Sequence, residues 1–181
     1  LTLLLFIGLA FSTTINIPMD YNTIQEGIDN SEHGDTILIA DGIYYEGLEI
    51  NKDLTLMSHF VFDNDESHID NTIISGASVY NTIDITQSDI DLNIVGLSII
   101  ESENHGIYAS NDYTQDIGLF IRYSKVFNNI GSGMNFYNSF HHRNIKLGIS
   151  HSSFYQNSGW GLAMDYISGY IEADLDNVKI Y

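Results

Sequence analysis

A repeat of 26 to 28 residues in the second half of the chain limits what it can fold into more than any other feature. When Ile90–Asp116, Ile117–Asn144, Ile145–Tyr170 and Ile171–Tyr181 are laid beneath one another, the apolar residues fall into columns. Leu92, Leu119 and Leu147 align, as do Ile94, Ile121 and Ile149, then Ile99, Val126 and Phe154. Two further columns follow, Ile107/Met134/Leu162, which opens just after a glycine (Gly106, Gly133 or Gly161), and Ala109/Phe136/Met164. Inside each unit the apolar positions alternate, which is the period of a strand with one buried face. The unit is too short for a strand–helix–strand crossover and holds several short strand patterns separated by turns. It reads as one coil of a right-handed parallel β-helix, an all-β solenoid in which successive coils lie about 4.8 Å apart and like residues stack on like. Such a coil cannot bury its apolar face alone and depends on its neighbours.

Upstream of the repeats, Tyr21–Asp29 carries Asn22 and Thr23, either of which can cap a short helix, with Gln25 or Glu26 completing a capping box and Ile24 and Ile28 on one face. This helix is expected to cover the open end of the first coil, whose strand edges would otherwise invite association. Gly34–Glu46 reads as strand, turn, strand; Leu48–Ile50 and Leu54–Leu56 add two more. Phe60–Asn71 interrupts them as an acidic excursion, with Asp63-Asn64-Asp65-Glu66 as a surface loop. Residues 20–181 are thus expected to form one parallel β-helix domain. The last unit stops partway through a coil, which predicts further coils beyond Tyr181.

The opening run Leu1–Phe11 is uncharged and apolar. It reads as the h-region of a secretory signal peptide over residues 1–12, with Ala10-Phe11-Ser12 as the cleavage site and the initiating Met and basic region missing. A buried strand or a single anchor is the alternative, but the run falls short of the roughly 20 residues that a spanning helix needs. The chain is therefore expected to be secreted or at the cell surface, without membrane insertion after cleavage, and monomeric. It has no cysteine, so stacked coils must supply what disulfides often supply outside the cell. Net charge is −18, which disfavours nucleic acid, because phosphates need clustered Lys and Arg.

The segment Thr23–Ile28 followed by Gly34-Asp35-Thr36 and Gly42-Ile43-Tyr44-Tyr45-Glu46 resembles the opening of right-handed parallel β-helix proteins of the pectin lyase-like superfamily: cap helix, G-D-T strand, then a G-x-Y-x-E turn and strand. The resemblance covers residues 20–181 and implies the fold. It implies no single activity, since lyases, esterases, glycosidases, epimerases and adhesins share that fold, and function must come from a site.

Glycoside hydrolysis needs two carboxylates facing one bond, roughly 5–9.5 Å apart. The aligned repeats show no acidic column. Asp112 stands with Ser139 and Ile167, and Asp116 with Asn144, while Asp84, Asp89 and Asp91 are read as flanking a turn. Asn104-His105-Gly106 is similar to the G-H-G element of polygalacturonases, with Asn in place of the first Gly. His141 and His142 sit in a loop between coils without a third metal ligand nearby in sequence. Calcium is the ion that the acidic, oxygen-rich turns favour, with Asp63, Asp65 and Glu66 as the candidate ligands. Trp160, between Gly159 and Gly161, is expected to project, with Tyr137 and Phe140 near the same loops. Exposed rings beside polar side chains suit sugar faces and hydroxyls. The expected ligand-binding residues are therefore Trp160, Tyr137, Phe140, His141, His142 and His105, and the expected partner is a polysaccharide or cell-surface glycan. A binding or adhesive module without catalysis in this segment, the first part of a polysaccharide-degrading enzyme with its site on later coils, and a structural stalk all remain open.

Overall fold

The computed structural model describes residues 12–86, 89–110, 116–137, 144–165 and 170–181. Residues 1–11, and with them the signal-peptide expectation, lie outside the described residues, as do Phe140, His141 and His142.

Strand β1 (Thr14–Ile17) leads into helix α1 (Ile24–Asp29), and a first coil follows as β2 (Asp35–Ile39), β3 (Gly42–Tyr45) and β4 (Leu48–Ile50). The next coil starts with β5 (Leu54–Ser58), is interrupted by α2 (Phe60–Asp63) and α3 (Ser67–Asn71), and resumes as β6 (Thr72–Ser75) and β7 (Ile83–Ile85). The regular coils are β8 (Ile90–Val95), β9 (Ser98–Ile100) and β10 (Ile107–Ser110); β11 (Ile117–Arg122), β12 (Lys125–Phe127) and β13 (Met134–Tyr137); and β14 (Asn144–Ser150), β15 (Ser153–Tyr155) and β16 (Leu162–Asp165). β17 (Tyr170–Asp176) and β18 (Lys179–Ile180) begin another. All pairings are parallel and join each strand to its counterpart one coil away. They make a seven-stranded sheet A (β1-β2-β5-β8-β11-β14-β17), a six-stranded sheet B (β18-β15-β12-β9-β6-β3) and a five-stranded sheet C (β16-β13-β10-β7-β4). The fold is a parallel β-helix.

Every apolar column read from the repeat is an observed register: Leu92↔Leu119↔Leu147 and Ile94↔Ile121↔Ile149 in sheet A, Ile99↔Val126↔Phe154 in sheet B, and Ile107↔Met134↔Leu162 in sheet C. These residues point inward and are buried, apart from the half-buried Leu162. Fully burying one such side chain contributes about 1.5–3 kcal/mol.

Polar ladders run beside the apolar ones. Asn129 is 1% exposed, and its side-chain oxygen accepts from the backbone N–H and the hydroxyl of Ser102, one coil back, at 3.0 and 2.9 Å. Its amide donates in turn to Asn157 Oδ1 at 2.9 Å, one coil forward. Buried backbone groups at a coil corner have no strand partner, and stacked asparagines supply one. At the corner between sheets A and B, Gly96, Tyr123, His151 and Asn177 all take positive φ, from 50 to 71°. The chemically mixed column that contains His151 is thus a turn, as its sequence suggests.

Helix α1 closes the first coil. Thr23 Oγ1 accepts from Glu26 N and Glu26 Oε2 accepts from Thr23 N, a complete capping box, and Ile24 and Ile28 are fully buried. The Glu46 carboxylate also accepts from Ile24 N and Gln25 N at 2.9 and 3.0 Å. Glu46 ends the G-x-Y-x-E turn, so that motif ties the cap to the coil beneath it. Strand β1 lies upstream of residue 20 and pairs with β2, so the sheet starts earlier than the expected domain boundary.

One local expectation is corrected. Phe60–Asn71 is two short helices, and only Asn64–Glu66 is the link between them. Phe60 and Ile69 are buried and anchor the excursion to the solenoid, a hydrophobic pairing too short to show a helical period.

Candidate functional site

The outer face of sheet C gathers those of the expected ligand-binding residues that the structure describes, His105, Tyr137 and Trp160. His105 and Trp160 stand at the corner that leads into this sheet, with Ser132 between them: Ser132 N donates to His105 Nδ1 at 3.0 Å, and Trp160 N donates to Ser132 Oγ at 3.2 Å. Trp160 is 75% exposed, as a ring held between two turn glycines should be. Tyr137 lies at the other edge of the sheet, about 10 Å across the strand, in register with Asp165.

Between these edges the outward positions of β7, β10 and β13 form a column, Asp84–Tyr108–Asn135. The His105 ring stacks on that of Tyr108, centroids 5.7 Å apart and planes within 10°. Asn135 is 6% exposed although it points away from the core; its amide donates to Asp165 Oδ2 at 2.9 Å, while its Oδ1 is buried without a hydrogen-bond partner among the described residues. A buried acceptor left unpaired costs about 1–3 kcal/mol. Asn81 organises the lower end: its amide donates to both Asp84 oxygens, and its own oxygen accepts from His105 N and Asn104 Nδ2.

The electrostatics of this cluster are perturbed in opposite directions. Burial pushes the Asp84 carboxyl above its ordinary value, against the two Asn81 hydrogen bonds and helped by the nearby Glu49 charge. Burial pushes His105 down, against the attraction of Asp165 and Asp84. Because His105 Nδ1 accepts the Ser132 hydrogen bond, the neutral ring carries its proton on Nε2. The face thus offers a donor at His105, an acceptor in need of a donor at Asn135, and carboxylates at either end.

The reading of Asp84 as a turn residue is corrected: it is the middle of β7, and its register neighbour one coil back is Glu49. An acidic pair on adjacent coils therefore exists. It escapes a fixed-step alignment because α2 and α3 stretch the interval from Glu49 to Asp84 to 35 residues. Asp89, with φ 63°, is the turn residue. The pairing of Asp116 with Asn144 holds, with Asn144 N donating to Asp116 Oδ1 at 2.9 Å.

Of the three expected calcium ligands, Asp63 and Asp65 accept local hydrogen bonds. Asp63 Oδ1 accepts from Asp65 N and Asp65 Oδ1 from Ser67 N, both at 2.9 Å, and Asp63 Oδ2 lies 3.3 Å from His68 Nε2. These local turns hold both carboxyls below the usual range. Among the described residues no group of three or more His, Asp or Glu is placed to hold a metal ion.

Several of the remaining aromatics form ladders. Phe60, Tyr123 and His151 succeed one another at 4.9 and 4.7 Å, and Phe127, Tyr155 and Tyr181 at 4.6 and 5.7 Å. Tyr123 on His151 and Phe127, Tyr155 and Tyr181 on one another are stacked, whereas Phe60 meets Tyr123 tilted by 42°; rings whose faces are covered by one another are poor platforms for a sugar face. Trp160 is clear of those stacks and is the exposed ring beside the His105 and Ser132 corner.

The chain matches no protein-family model and no curated protein sequence.

Proposed function

We propose that this chain is a secreted or cell-surface β-helix that binds a polysaccharide or cell-surface glycan along the outer face of sheet C, as a monomer and without cutting it. The observation that carries the reading is the unpaired Asn135 Oδ1 beneath a face lined by His105, Tyr108 and Asp165 and edged by the projecting Trp160. A glycan hydroxyl that donates to Asn135 relieves a buried orphan, and an indole beside it takes the apolar face of a sugar ring. The signal-peptide reading of the first residues and the resemblance to the pectin lyase-like superfamily support the extracellular setting. Neither nucleic acid nor an anionic membrane suits a net charge of −18.

The test is a glycan array probed with and without calcium, with soluble products followed in parallel. Binding that is lost in Trp160→Ala and in Asn135→Leu, without product release, supports the reading. Retention of all binding in both variants sinks it. A second reading, turnover at the same face, is favoured by one observation: Asp84 is pushed toward the protonated acid while His105 is pushed toward the neutral base. Reducing-end or unsaturated products that disappear in Asp84→Asn would select it.

A further inference from the structure

Sheet A carries a hollow of about 290 Å³ on its outer face, remote from the cluster on sheet C. Its size lies near the lower end of small-molecule sites, roughly 300 Å³ upward. Two outward columns make it. In one, Phe120 is followed by Gly148 and then Asp174; in the other, Arg122 is followed by Ser150 and then Asp176. Gly148 opens the space: a Cβ there would come 2.8 Å from Phe120 Cδ1. The half-buried Phe120 ring thus lies along the sheet above a residue without a side chain and forms one wall of the hollow.

The charges around the hollow are of both signs and do not neutralise each other. The Arg122 guanidinium makes one hydrogen bond, to Asn93 Oδ1 at 3.4 Å, and no ion pair among the described residues. Asp174 has no ion-pair partner there, and Asp176 has only the His151 imidazole at 3.9 Å. Adjacent rungs are about 4.8 Å apart, so Arg122 and Asp176, two rungs distant, flank the space. An aromatic wall, carboxylates at one end, and hydroxyl, amide and guanidinium donors at the other define a compact ligand. It has a cationic group, an apolar face and several hydroxyls.

We propose that this hollow binds an amino sugar with a free amine, its ammonium held by Asp174 and Asp176 and drawn toward the Phe120 ring, its hydroxyls read by Arg122, Asn93 and Ser150. An ammonium over an aromatic face gains from the ring quadrupole, and carboxylates complete its coordination. A neutral hexose leaves both carboxylates unanswered, and an N-acetylated amine carries no charge for them.

The experiment is isothermal titration, with saturation-transfer NMR to confirm contact, on the whole 181-residue chain with glucosamine, N-acetylglucosamine and Nα-acetyl-lysine amide. Glucosamine should bind at least about tenfold more tightly than either of the others. The double variant Asp174→Asn/Asp176→Asn should lose at least about tenfold for glucosamine with unchanged melting. Glu32→Gln/Glu103→Gln, which removes equal charge from exposed positions elsewhere, should lose nothing. Equal binding of the acetylated sugar, or an equal loss in the control variant, overturns the proposal. Lysine amide bound as tightly as glucosamine would show a site that reads charge alone and overturns the sugar assignment, and absence of glucosamine binding overturns the whole.

Discussion

Truncating Asn129 to Ala tests whether buried asparagines hold the coil corners. The side chain is 1% exposed and serves Ser102 twice, through N–H and Oγ–H, and Asn157 once. Ser102 is itself fully buried, so water cannot replace the lost acceptor. An orphaned buried backbone N–H costs about 1–3 kcal/mol, and the stranded hydroxyl adds to it, for a total of about 2–4 kcal/mol. With a urea slope of about 1–3 kcal/mol/M the midpoint should fall by roughly 1–2 M. Equilibrium urea unfolding followed by far-UV circular dichroism measures it. Asn128→Ala is the internal control. Asn128 is exposed, and its φ of 58° costs an alanine only about 1–2 kcal/mol. Asn157→Ala combined with Asn129→Ala should show coupling of about 0.5 kcal/mol or more, since one side chain bonds the other. If Asn128→Ala costs as much as Asn129→Ala, or if the two ladder variants are additive, the ladder does not stabilise the corner and the reasoning fails.

Three further outcomes are expected. Ile121→Asp places an unpaired charge in the centre of a fully buried column and should unfold the domain; unchanged thermal melting would refute the stacking register. Deletion of Asp20–Asn30 removes Ile24 and Ile28 from the end of the first coil and should give concentration-dependent association in sedimentation velocity, whereas a strictly monomeric product would show that the segment is no cap. His68 places Nδ1 2.7 Å from Asp41 Oδ1 and Nε2 3.3 Å from Asp63 Oδ2, and the Asp41 hydrogen bond leads in raising its pKa above 6.5. A raised folded pKa means that this contribution is fully present below about pH 6.5 and is lost as pH rises through the higher folded value. His68→Gln should abolish that loss, and a melting temperature equally dependent on pH in the variant would exclude the clamp.

What the sequence made legible is what stacking repeats. Inward positions recur because each must match the rung above it, so Leu119, Ile121 and Val126 announce their columns. The cap was legible for a different reason, since Thr23 and Glu26 satisfy each other within one turn. Asp84, His105, Asn135 and Asp165 were not legible as a group. They come from four coils and face outward where no rung constrains its neighbour, and the Glu49 partner of Asp84 is hidden further by the α2–α3 excursion. The burial of Asn135 is a lateral packing effect with no signature in local spacing. The role of Asn129 has no local signature, because asparagine serves equally in exposed turns and in buried ladders, and only the presence of Ser102 and Asn157 at the same corner distinguishes the two.

The double support of α1 carries a consequence for the order in which the molecule assembles. Six residues are too few for a helix to persist alone in water. Two of its first-turn N–H groups are answered by Glu46, which takes its place only after β3 has formed and the chain has turned toward β4. The lid therefore cannot be built before the vessel, although it is made earlier in the chain. A nascent polypeptide carries Ile24 and Ile28 incompletely covered until the first coil is complete, because α1 packs on β1, β2 and β4, and the stretch from Thr14 to Ile50 is the shortest piece that holds all of these.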